Sequence, residues 1–91
     1  MSSWVRRRDV LWRRLLDGAV LLPVEASEPF VLDAPGAAVW SILDEDEPLA
    51  LADAAAVLAE ASGESVARIA ADIEPLLEQL EELGAVRRVT G

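Results

Sequence analysis

The spacing of apolar residues changes once along this chain, near Ala34, and that change limits the fold more than any other feature. Before it, short apolar runs are broken by turn residues: Val10-Leu-Trp-Arg-Arg-Leu-Leu16, Ala19-Val-Leu-Leu22 and Pro29-Phe-Val-Leu32. After it, alanine and leucine recur at helical intervals. Asp17-Gly18 between the first two runs predicts a tight hairpin with both turn residues at positive φ. Pro23 lacks an N–H and suits a strand end. In the third run Phe30 and Leu32 share one face and Val31 takes the other. The expectation is a three-stranded antiparallel meander.

Asp33 is a candidate cap for a helix over residues 35–43, which offers Val39, Trp40 and Leu43 to a core. Pro48 and an acidic loop end it. A second helix over 49–61 carries the stripe Leu51, Ala54, Leu58 and Ala61, closed by Gly63 as a left-handed cap. Ser65 caps a third helix over 66–83, with the stripe Val66, Ile69, Ile73, Leu76, Leu80 and Leu83, and Gly84 at its end. Pro75 lies inside this helix and predicts a kink near residues 71–75 or a break into two shorter helices. A tail over residues 85–89 is expected to pack back on the body. Three strands followed by three helices predict an α+β domain of the winged helix-turn-helix type.

At 91 residues the chain is about one domain in length. It has no cysteine and no histidine. Disulfides, thiolate nucleophiles, imidazole or thiolate metal sites and Ser-His-Asp chemistry are excluded together. Only carboxylates remain as metal ligands, and Asp44-Glu45-Asp46-Glu47 lacks the glycine and ligand spacing of a calcium loop, so it reads as a solvated loop. No cofactor is implied. No apolar run approaches the roughly 18 residues of a membrane span. The basic start, Arg6-Arg-Arg8, leads into Asp9 and Arg13-Arg14 rather than an export signal, which leaves the cytoplasm as the expected location. The net charge is −9, yet five of the eight basic residues precede residue 18. Residues 64–83 carry six carboxylates and one arginine, so a recognition helix there would be repelled by phosphates and nucleic-acid binding is disfavoured.

Asp17-Gly18-Ala-Val-Leu-Leu22, then Phe30-Val-Leu-Asp-Ala-Pro-Gly36-Ala-Ala-Val-Trp40, and finally Asp72-Ile-Glu-Pro-Leu-Leu77 with Leu80 and Leu83-Gly84-Ala85-Val86 resemble the PqqD-like family. That family includes the pyrroloquinoline quinone peptide chaperone and the discrete leader-binding proteins of lasso-peptide pathways. The resemblance covers about residues 9–89. Three departures stand out: Ala26-Ser27-Glu28 replaces the usual Thr-Gly turn, Asp33 stands where Asn is common, and Pro75 is unusual in the last helix. The resemblance implies a non-catalytic domain, one of the RiPP recognition elements. Such a domain binds the leader of a ribosomally made precursor peptide as a strand added to the third strand, in a groove against the third helix. The implied partners are that leader and a modifying enzyme or leader peptidase.

The residues singled out for leader binding are Phe30, Val31, Leu32 and Asp33 on the strand and Arg68, Ile69, Asp72 and Ile73 on the helix. Each has a plainer reading beside it. Ile69 and Ile73 lie on the main apolar stripe and read as core before pocket. Phe30, Leu32 and Trp40 read as core. Arg68 and Asp72 are four apart and suit a surface pair, worth about 0.2–0.5 kcal/mol. Residues 1–8 read as a flexible basic tail before a 9–89 domain, with electrostatic contact to a partner as the functional alternative. Trp12 alternates with Val10 and reads as core, whereas Trp4 lies outside the core pattern and suits an exposed anchor. A structural or dimerisation module is the competing role; homo-oligomerisation is left open.

Overall fold

The structure is a computed structural model that describes residues 2–24 and 26–90. The meander is present as β2 (Val10–Leu15), β3 (Gly18–Pro23) and β4 (Phe30–Leu32), in the order β2-β3-β4 and antiparallel throughout. Its hairpin turns differently from the expectation. Leu15 pairs with Gly18, so Leu16 and Asp17 form the two-residue loop and Gly18 opens β3. Among the described residues only Gly63 and Gly84 have positive φ. Gly18 is needed for a different reason: a Cβ built on it would overlap the carbonyl oxygen of Leu32, with the Leu32 and Asp33 backbone carbons close behind. The absent side chain lets β3 and the end of β4 approach.

The first residues of the chain are part of this fold. The segment expected to be a solvated tail forms β1 (Ser2–Arg6), the centre of a second antiparallel sheet between β5 (Leu49–Ala50) and β6 (Val86–Thr90). The expected return of the C-terminal tail is this β6, which pairs with β1 from Ser2↔Thr90 to Arg6↔Val86. Trp4 and Val5 are each 2% exposed. The two tryptophan assignments are therefore exchanged: Trp4 is core, and Trp12 is 41% exposed. Trp4 and Val5 are adjacent and point to opposite faces, both buried, and an apolar run of two residues between serines and arginines is too short to signal a strand.

Arg6 explains why a basic segment can dock here. Its guanidinium donates to the Trp40 carbonyl through Nε (3.0 Å) and Nη2 (2.6 Å) and lies 4.6 Å from the Trp40 ring centre and 4.9 Å from that of Trp12. Trp40 is in the last turn of α1 (Ala34–Ile42), and its carbonyl also accepts from the Leu43 N–H, so Arg6 adds a charged donor at a helix C-terminus, where a cation is favoured. Burial pulls the Arg6 pKa below its ordinary value, opposed by Glu45 and Asp44. Of the neighbouring arginines, Arg7 pairs with Asp9 and Arg8 with Asp46. Arg88 on β6, in the same sheet as Arg6, makes a related contact with a carboxylate and a tryptophan ring. It donates to Glu81 at 3.0 Å and lies over the Trp4 ring.

The helices begin and end for the expected reasons. Asp33 caps α1: its Oδ1 accepts from the Gly36 amide at 2.9 Å and its carbonyl from Ala37. Replacing Asp33 with alanine is expected to cost about 1 kcal/mol, read as a lower midpoint in urea denaturation. α2 (Leu51–Ser62) starts two residues later than expected because Leu49 and Ala50 pair with β1. It buries Ala54, Ala55 and Ala59, with Leu51 and Leu58 half-buried. Ala61, expected on the buried stripe, is exposed. Ser65 Oγ caps α3 (Val66–Glu82), and Gly84 ends it in a Schellman motif: Ala85 N–H donates to the Leu80 carbonyl and Gly84 N–H to that of Glu81.

α3 buries Ile69, Ile73, Leu77 and Leu80, while Val66 is 44% exposed. It is one helix, unbroken at Pro75. Pro75 and Ala71 are both exposed, so the Ala71 carbonyl that proline leaves without an N–H turns to water, and packing holds the other face. The core joins both sheets and all three helices. Trp4, Trp40, Leu21, Leu77, Leu80, Val39 and Val86 are its largest fully buried side chains.

Candidate peptide-binding edge and cleft

Among the described residues β4 hydrogen-bonds only to β3, so its other side is a free edge. The hairpin register settles which groups face outward. A two-residue loop makes Leu15 and Gly18 a hydrogen-bonded pair, and such pairs alternate along an antiparallel ladder. Counting from there, Ala19↔Leu32 and Leu21↔Phe30 bond to each other, and Val20↔Val31 do not. The N–H and C=O of Val31 therefore point away from β3, toward the open edge. Its side chain is 65% exposed on the outer face, while Leu32 (3% exposed) is core and Phe30 half-buried on the inner face. At the end of this edge Asp33 is exposed, but one carboxylate oxygen is committed to the Gly36 amide.

A cleft of about 420 Å³ opens where α1 begins, between α1, α2 and α3. Pro35, Ala38 and Val39 form one wall, Leu58 a second, and Ile69 and Ile73 the third. Ile69 and Ile73 are core residues, each 7% exposed, and they also line the cleft. The two readings of them describe one position seen from two sides. Asp72 and Glu64, both exposed, also line it, so an apolar floor carries a negative rim. Arg68 is exposed and does not line this cleft. It makes no salt bridge with Asp72 among the described residues.

Of the eight residues singled out from sequence, the structure brings Ile69, Asp72 and Ile73 together around the cleft. Val31 lies on the free edge, Leu32 and Phe30 lie behind that edge, Asp33 is a helix cap and Arg68 stands apart. The α1 wall was missed. Pro35, Ala38 and Val39 are spaced i, i+3, i+4, and that small-residue face was the available signal.

The model of the family described as "Coenzyme PQQ synthesis protein D (PqqD)" matches residues 18–86. No curated protein matches the chain. Among solved structures, one match is the PqqD truncation of Methylobacterium extorquens PqqCD. It was described in solution as a functional and stand-alone recognition element for ribosomally synthesized and post-translationally modified peptides. It is 26% identical, with a TM-score of 0.76 over 93% of this chain and 88% of that one. Another is TbiB1 in complex with the TbiA(beta) leader peptide, 23% identical, with a TM-score of 0.72 over 87% of this chain and 92% of that one. The matched region runs from the first residue of β3, through the free edge of β4 and the cleft, to the first residue of β6, and by that match the chain belongs to the PqqD family.

Proposed function

We propose that this protein captures the leader segment of a ribosomally made precursor peptide as a strand added to β4, and presents it to a modifying enzyme or leader peptidase. The observation that carries this reading is the three-residue edge strand whose Val31 backbone is free, ending where the apolar cleft begins. An extended peptide gains affinity from main-chain bonds along such an edge and specificity from side-chain pockets beside it. Here the pocket calls for an apolar anchor against Ile69 and Ile73. The carboxylates of Asp72 and Glu64 favour a lysine or arginine next to that anchor. The Methylobacterium relative is a recognition element for peptides of this class, and TbiB1, which shares the fold, holds a leader peptide.

The role is tethering rather than catalysis. Holding leader and enzyme on one body raises the effective concentration of the core peptide at the enzyme. A ribosomal precursor places the encounter in the cytoplasm. DNA binding by α3 is the less favoured use of this fold, because the helix presents Asp72, Glu74, Glu78 and Glu82 to solvent and would meet phosphates with like charge.

Val31→Pro tests the strand addition directly. The Val31 N–H faces away from β3, so proline leaves the internal ladder intact and removes one donor from the edge. Fluorescence anisotropy with labelled leader peptides from precursor genes at the same locus is expected to show affinity lowered roughly tenfold or more, with an unchanged circular dichroism spectrum. Equal affinity in the folded variant rules out pairing along β4.

A further inference from the structure

The meander has a second free edge, β2, and its surface does not match the rest of the molecule. Every residue from Leu11 to Asp17 is exposed. Leu11 is 72% exposed, Trp12 41%, Leu15 41%, and Leu16 at the hairpin tip 99%. Across the pair, Leu22 (38% exposed) stands opposite Leu11. A shallow crevice of about 250 Å³ runs among Leu11, Trp12, Arg13, Val20, Leu22 and Pro29. Single exposed leucines need no explanation, but a contiguous set on one hairpin does.

The charge of this surface is as distinctive. Arg13 and Arg14 lie in the middle of β2, both exposed, and neither makes a salt bridge among the described residues. Residues 1–18 hold five of the eight basic residues but only two of the seventeen acidic ones. Alternation puts Arg13 with Leu11, Leu15 and Leu22 on the outer face, and Arg14 with Trp12 on the face toward the core. The outer face of the hairpin is thus an apolar patch crossed by the unpaired charge of Arg13, with Arg14 exposed on the same edge strand, on a protein of net charge −9. A second copy pairing β2 with β2 would bring arginines toward arginines, which is how edges are protected from self-association. A carboxylate-bearing partner meets no such barrier and gains attraction at long range.

We infer that the β2–β3 hairpin is the docking surface for the enzyme that acts on the captured peptide. The enzyme's matching surface is an apolar depression, for Leu16 and Leu11, with a carboxylate beside it for Arg13 on the same face and another along the strand edge for Arg14. This rests on the leader-capture reading. In the order β2-β3-β4 the two edges lie on opposite sides of one sheet, about 10 Å apart at ordinary strand spacing. Leader on β4 and enzyme on β2 are then held at once, without competing.

The test uses the full chain, the purified modifying enzyme encoded at the same locus, and the labelled leader. Two variants are compared with wild type: Leu16→Ser, at a fully exposed position, and the double substitution Arg13→Glu with Arg14→Glu. Each is expected to weaken enzyme binding about tenfold or more by biolayer interferometry. Wild-type binding is expected to fall as salt rises, and leader affinity by anisotropy to stay unchanged in both variants. The inference is overturned if both variants bind the enzyme like wild type, if wild type does not bind the enzyme, or if leader affinity falls in parallel. It is also overturned, in favour of a second copy, if sedimentation shows a wild-type dimer that Leu16→Ser dissolves. Failure of wild type to bind the leader would instead strike the leader-capture reading.

Discussion

Replacing Trp4 with alanine is expected to destabilise the protein by about 3–5 kcal/mol. Trp4 is 2% exposed in the core, faces Leu49 across the β1–β5 pair and lies under the Arg88 guanidinium. The substitution leaves a cavity the size of an indole and removes the stacking partner of Arg88. A domain of this length has about 5–13 kcal/mol to lose, so the unfolded fraction becomes large. Urea denaturation followed by far-ultraviolet circular dichroism measures it, with Trp4→Phe as a milder companion. A solvated tail would give no change in the midpoint, so the experiment separates β1 as a strand from residues 1–8 as a tail.

Gly18→Ala is expected to cost about 3 kcal/mol and to lower leader affinity as well. The added methyl has nowhere to go: it meets the carbonyl oxygen and carbon of Leu32 and the carbonyl carbon of Asp33, all backbone atoms. Overpacking against movable side chains costs typically 1–3 kcal/mol, and here relief requires the end of β4 to move away from β3. That movement displaces the free edge and the Asp33 cap together. Gly63→Ala is the informative comparison. Gly63 has φ of +79° and open space around its would-be Cβ. Alanine there destabilises through backbone strain alone, by about 1 kcal/mol. Both variants lose stability in urea, and only Gly18→Ala loses leader affinity. Equal affinities in Gly18→Ala and wild type would mean that the close approach of β3 and β4 does not shape the edge.

The meander, the three helices and their caps were legible because each is coded locally. Asp33, Ser65, Gly63 and Gly84 sit where helix-end chemistry requires them, and the alternation of Phe30, Val31 and Leu32 sets their faces. The second sheet was not legible, because nothing local specifies it. β5 has two residues, β6 reads as a charged tail, and β1 carries three arginines at or just beyond its end. Their pairing depends on residues from opposite ends of the chain, and on Arg6 reaching a helix carbonyl that no spacing rule connects to it. Gly18 was noticed for the wrong reason: Asp-Gly favours a positive-φ turn, whereas the tertiary approach of Leu32 is what demands glycine. Within the candidate site, one turn of α3 placed Ile69, Asp72 and Ile73 correctly on a shared face. The opposing wall on α1 became visible only when the helices packed.

The pairing of β1 with β6 also has a consequence in time. Ser3 lies opposite Val89 and Trp4 opposite Arg88, so this ladder closes a loop of almost the whole described chain, whereas the β2–β3 hairpin and each helix close within a few residues. Loop-closure entropy delays distant pairings relative to local ones. During synthesis β1 leaves the ribosome before β6 and has no partner on that side until β6 has been made. Until then Trp4 has no β6 beside it and no Arg88 above it. The seating of β1 is thus a late step of folding, and slowed translation of β6 would prolong the interval in which that tryptophan is open to solvent and to other chains.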